Sequence, residues 1–195
     1  MLVTTHNLIA NTVYSTVMEK LEIKLHRRGL KYGCIKPDIS PSMRKESHRK
    51  ENTQDLVYNM IKDIQKQSFP ETKKELKDFS IKLGIILHYI ADYFCFAHND
   101  SKFCNFFKHF IYEYKLARKF IKVDIRKLCS HSWKIYENSL KQEMSIQEFI
   151  EKKHTQYLRQ QHKMSQDINF AVEIGITVIF MILTQCLENI SYKVA

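Results

Sequence analysis

Residues 81–98 read IKLGIILHYIADYFCFAH, and this stretch decides the fold. At helical spacing its apolar side chains fall on every face, with Ile81, Ile85 and Cys95 on one and Leu83, Leu87, Ile90 and Phe94 on the opposite one. A helix that is apolar all round is a buried helix. Into this run the sequence sets His88 and Asp92, four apart and therefore on one face. Lys82 and Lys102 are the nearest cations, so the carboxylate has no partner along its own helix. A buried carboxylate is costly unless it is paired or bound to a metal, and a metal cation is the natural partner here. His98 follows six residues after Asp92, at the helix end.

The same pattern returns in the next predicted helix, residues 102–128. His109 and Glu113 are four apart, on the apolar face that continues through Phe106, Leu116, Ala117 and Phe120. Imidazole nitrogen with carboxylate oxygen is a donor set that suits zinc. Upstream, Thr4 or Thr5 is placed to cap a first helix running to about His26. Its row Ile9, Val13, Val17 and Leu21 faces inward, and His6 lies at the start of that face. Residues 27–43 hold Gly29, Gly33, Pro37 and Pro41 and read as a loop that carries Asp38, with His48 ten residues further on.

The remaining chain reads as helix too. A second helix runs from Lys45 or Asn52 to Gln67, and a third opens at Pro70 and Glu71 and runs to about Phe96. A short helix covers residues 130–141, and a capping box at Ser145 and Glu148 opens one that reaches Lys163. The last helix spans residues 166–192. His154 and His162 fall among charges and read as surface residues. Nothing resembles a linker or a repeat, so residues 1–195 read as a single-domain, all-α multi-helix bundle.

Four Gly and three Pro in 195 residues leave no room for a turn-rich β-fold or a glycine-rich phosphate loop. Five Cys without a C-x-x-C pair argue for reduced thiols rather than a disulfide framework or a thiolate zinc site. The formal net charge of +10 favours anionic partners. Residues 24–50 and 102–134 each carry nine Lys or Arg against two acids. They offer a basic surface for peripheral membrane contact or for nucleic acid. The first 20 residues lack a basic start and an unbroken apolar core, so no leader is read and a cytoplasmic location is expected. The 14 uncharged residues between Glu173 and Glu188 fall short of the ~20 that a spanning helix needs. They are expected to be a buried core helix.

In order, the candidate residues are His6, Pro37-Asp38, His48, His88-x-x-x-Asp92-x-x-x-x-x-His98 and His109-x-x-x-Glu113. This order resembles the zinc-dependent phospholipase C family of bacteria, which is similar in fold and metal site to fungal single-strand-specific nucleases. The resemblance implies an all-α bundle holding two or three zinc ions. It implies that His48, His88 and Asp92 bind one zinc, with Asp38 beside it as ligand or base. It gives His98, His109 and Glu113 to a second zinc. A third would be bridged by Asp92 and would take His6 with the amine and carbonyl of Met1, where exported members expose an N-terminal Trp. The implied activity is phosphodiester hydrolysis, with zinc activating water and Asp38 orienting or deprotonating it. A phospholipid is the expected substrate. Two alternatives remain at this point: a single-strand-directed zinc nuclease, and a non-catalytic basic helical module.

Overall fold

The computed structural model describes residues 1–44, 48–103 and 105–194. In chain order the helices are α1 (Val3–Leu21), α2 (Arg27–Ile39), α3 (Lys50–Gln65), α4 (Lys73–Tyr93), α5 (Phe96–Asn99), α6 (Phe106–Phe120), α7 (Ile125–Lys141), α8 (Ile146–Arg159) and α9 (Met164–Val194). A single 3-10 turn, Ser101–Phe103, precedes α6, and the described residues contain no strand.

The central helix is α4, where every residue from Leu83 to Tyr93 is buried. Its start is fixed by a reciprocal capping box, Thr72 with Glu75, two residues after the expected Pro70. Around it pack α1, α2, α3 and α9. The stretch Met164–Asn189 of α9 is long and apolar enough to cross a membrane, yet most of it is buried inside the bundle. Ile9, Val13 and Val17 of α1 are buried as their spacing implies. That helix starts after Leu2 without a side-chain cap and stops at Leu21, where Glu22 turns left-handed at φ 58°.

Residues 27–39 form helix α2 rather than the expected loop. The reason lies in what its glycines do. A Cβ on Gly33 would stand 2.1 Å from the Ile81 carbonyl oxygen, and one on Gly84 would stand 2.3 Å from the Leu30 carbonyl oxygen. These glycines let two backbones touch across the α2–α4 crossing. They mark close approach, not a turn. His26, expected at the end of the first helix, caps α2 by accepting from the Gly29 amide at 2.9 Å. Pro37 sits in the last turn of α2 and delivers Asp38 beside α4.

Other boundaries also move. The helix expected over residues 102–128 is two helices, because Asp124 caps α7 by accepting from the Lys127 amide. The third helix ends at Tyr93, not Phe96, and the chain then turns into the short α5. The capping box of Ser145 and Glu148 opens α8 as expected, but α8 ends at Arg159. Of the two starts considered for the second helix, Lys45 lies outside the described residues, and α3 begins at Lys50.

Candidate metal centre

His88 is oriented by backbone. Its Nδ1 lies 2.9 Å from the Cys34 carbonyl oxygen, which can only accept, so Nδ1 carries the proton. Nε2 then presents its lone pair inward. That arrangement, a backbone carbonyl fixing the tautomer of an imidazole, is how proteins aim histidine at a metal. The close α2–α4 crossing makes it possible, since it brings the Cys34 carbonyl against α4.

One helical turn on, Asp92 is fully buried among five nitrogens. Oδ1 lies 2.5 Å from the Met1 α-amine, 3.4 Å from His6 Nε2 and 3.6 Å from His98 Nε2. Oδ2 lies 3.0 Å from His48 Nδ1 and 3.4 Å from His88 Nε2. Asp38 joins from the end of α2, 3.6 Å from His48 Nδ1 and 3.8 Å from His88 Nε2. On the other side, Glu113 Oε1 is 2.7 Å from His109 Nε2, 3.2 Å from His98 Nε2 and 3.0 Å from the Met1 amine. The structure therefore gathers Met1, His6, Asp38, His48, His88, Asp92, His98, His109 and Glu113 from α1, α2, α4, α5, α6 and the segments beside them. The break after Tyr93 is what swings His98 back toward Asp92.

Electrostatics follow the crowding. Burial drives Asp92 toward the neutral acid, but His98, the Met1 amine and His6 outweigh it and hold the carboxyl well below its usual range. Burial and the neighbouring His6 keep His88 neutral, with its pKa well below the usual imidazole value. Burial likewise lowers His98. Burial raises Asp38 despite His6. His48 moves up, because its hydrogen bond to Asp92 and the charge of that carboxylate overcome the cost of burial.

Two observations test whether a metal fits. Both ring nitrogens of His6 are buried without a hydrogen-bond partner, and each such group costs about 1–3 kcal/mol if nothing meets it. The donors also fall into three compact groups, His6–His88–Asp92, Asp38–His48–His88 and Cys95–His98–Glu113, with the ligand atoms of each within 4.8 Å of one another. Neutral imidazoles and ionised carboxylates at this spacing are a zinc-type donor set. Cys95 is a candidate the sequence reading passed over as a core thiol. Burial pushes its pKa well up, making it the weakest donor of its group. Cys104 lies outside the described residues.

The centre opens into a cavity of about 570 Å³. Met1, Asp38, His48, His98, His109 and Glu113 form its floor, and Arg44, Arg49, Phe103 and Phe106 its outer wall. None of these four was singled out for the site from sequence. Phe106 was expected on the buried face of α6 but is 83% exposed. Tyr93 and Phe94, next to Asp92 in the sequence, lie in the core, with the Tyr93 hydroxyl 3.0 Å from that of Thr53.

Behind the centre lies a second polar cluster that the sequence reading missed. Asp167 at the start of α9 accepts from the Phe96 amide, Tyr112 and Tyr157 at 3.0, 2.6 and 2.9 Å. His162, expected at the surface, is partly buried. It stacks on Phe96 with ring centroids 3.6 Å apart and meets the Tyr112 hydroxyl at 2.8 Å. His154 is also partly buried, 3.1 Å from Asn99 Oδ1. The only signal in the sequence was an acid opening an otherwise apolar helix.

No curated protein and no solved structure matches the chain significantly. The model of one family, described as zinc dependent phospholipase C, matches residues 5–164. The match takes in every candidate ligand except Met1. With a helical fold and buried His–carboxylate groups able to hold metal, the chain belongs to the zinc-dependent phospholipase C family.

Proposed function

We propose that the chain hydrolyses the phosphodiester of a phospholipid headgroup, releasing diacylglycerol and the phosphorylated headgroup. The observation that carries this is the convergence of nine donor residues beneath a cavity whose outer wall includes Arg44 and Arg49. His48, His88 and Asp92, with Asp38 alongside, would hold one zinc. His98, His109 and Glu113 would hold a second. Asp92, His6 and Met1 would hold a third. When bound, zinc lowers the pKa of water and neutralises phosphoryl oxygens.

The chain's own groups supply the rest. Arg44 and Arg49 draw the phosphate to the cavity, and arginine is suited to paired phosphate oxygens. Asp38, at the floor of the cavity, orients the attacking water and takes its proton at Oδ1 or Oδ2. Its burial raises its basicity above that of an exposed aspartate. The Cys34 carbonyl keeps the proton of His88 on Nδ1 throughout. The Met1 amine is held charged well above its usual pKa by Asp92 and Glu113 despite burial, so its use as a ligand requires release of a proton.

The test is hydrolysis of phosphatidylcholine and of single-stranded DNA by chelator-stripped protein, with zinc added back and zinc per chain counted by elemental mass spectrometry. Zinc-restored cleavage of the lipid, cut at least about a hundredfold by Asp38→Asn with zinc content retained, supports the proposal. Cleavage of DNA alone would replace the substrate, and no zinc uptake would end the enzymatic reading. Adding one residue before Met1 should lower the zinc count by one ion if its amine is a ligand.

A further inference from the structure

Helix α6 places its apolar side chains where solvent should be. Its buried face is Tyr112, Leu116 and Phe120, with Glu113 turned to the metal centre. The outward side carries Phe106, Phe107, Phe110 and Tyr114, all exposed, Phe107 by 69%. At 100° per residue these four form one strip, and Phe106 and Phe110 stack with centroids 6.5 Å apart. Contiguous exposed aromatics of this kind mark an interaction surface.

The position of the strip identifies its partner. On one side it meets the cavity, since Phe106 is part of the cavity wall. On the other it meets Lys108, Lys115 and Arg118, which are exposed, and the Arg118 guanidinium lies 6.0 Å over the Tyr114 ring. Between Asp100 and Asp124 the only acid is Glu113, which faces the centre. An aromatic strip edged by cations is complementary to a bilayer interface, with rings at headgroup depth and ammonium and guanidinium groups on lipid phosphates. A lipid surface uses both features and also delivers substrate to the adjoining cavity, whose wall includes Phe106 of the strip.

The geometry points to α6 as a membrane-docking helix that seats the cavity mouth on an anionic phospholipid surface. This rests on the phospholipid reading of the site, but its test is separable. Zinc-loaded protein should cosediment with vesicles of phosphatidylglycerol and phosphatidylcholine, and more weakly in about 0.5 M salt. The double substitution Phe107→Ser with Phe110→Ser removes exposed side chains outside the cavity. It should weaken vesicle binding about tenfold or more and leave hydrolysis of a soluble short-chain phosphodiester unchanged. Failure of the wild type to bind vesicles, or equal binding by the double variant, would overturn the inference. So would a lipid-free dimer that the double substitution dissolves, since the strip would then be a self-association face. Vesicle binding without hydrolysis of any phosphodiester would support docking while removing the catalytic reading.

Discussion

Asp92 and Asp167 are both fully buried acids, and both touch the short helix α5, Asp92 beside the His98 ring and Asp167 at the Phe96 amide. Their surroundings differ in kind. Asp92 faces five nitrogens that can carry positive charge or bind metal, four from imidazoles and one from an amine. Asp167 receives hydrogen bonds from two tyrosine hydroxyls and one amide, and has a single imidazole nitrogen nearby, His162 Nδ1 at 3.6 Å. The carboxyl of Asp92 is held well down, whereas burial pushes that of Asp167 up against its three donors. Burial alone therefore does not mark a reactive acid. What distinguishes a metal centre is a carboxylate whose neighbours are themselves lone-pair donors, so that each needs a cation to share.

The largest effect expected from this contrast is at Asp92. Asp92→Asn should lower hydrolysis about a thousandfold or more and abolish the rise in Tm that zinc gives the wild type. Thermal melts with and without zinc check it. Full activity with full zinc content would remove Asp92 from the centre.

Asp167→Asn should act the other way round. Its amide keeps one acceptor but turns the other into a donor facing a tyrosine hydroxyl. A loss of about 1–3 kcal/mol in metal-free stability is expected, with the zinc-dependent rise in Tm retained. Urea melts measure the first and thermal melts the second. The pH dependence sharpens the distinction. Because the folded pKa of Asp167 lies above its usual 3.8, the folded state binds more protons than the unfolded state between the two values. Stability from this group therefore falls as pH rises through that window. Asp167→Asn lacks that slope, so its deficit relative to wild type should be largest at the acid end and shrink toward neutral pH. A deficit that grows with pH would mean that Asp167 is ionised like Asp92.

The same two residues show what was legible in the sequence. His88 with Asp92 and His109 with Glu113 were readable because each pair is set by one helical turn on one helix, a spacing the backbone fixes before any packing occurs. The all-apolar surroundings of residues 81–98 told that the first pair was buried. Asp167 was not readable as a hub. Its donors sit on three other elements, and nothing local links residue 167 to residues 96, 112 and 157. Helix α2 was missed for a related reason. Gly29 and Gly33 have the composition of a turn, but Gly33 serves the α2–α4 contact, which exists only once Gly84 has been brought alongside. Arg44, Arg49 and Phe103 lie outside the regular helices, where periodicity says nothing about facing.

The smallest expected effect isolates one hydrogen bond on the non-metal side of the comparison. The Tyr157 hydroxyl donates to Asp167 Oδ1 at 2.9 Å, and the next nearest group to that oxygen is His162 Nδ1 at 3.6 Å. Tyr157→Phe keeps the ring against Phe94 and Phe170 and removes only the donor. Oδ2 retains Tyr112 and the Phe96 amide, so α5 stays anchored. About 0.5–1.5 kcal/mol of stability should be lost, with kcat and zinc content unchanged. The result separates two roles for the cluster. If kcat falls while stability holds, the network reaches through Phe96 and α5 to the ring of His98, and Asp167 positions a ligand. If only stability moves, the cluster closes the end of the bundle and the metal centre stands on α4 and α6 by itself.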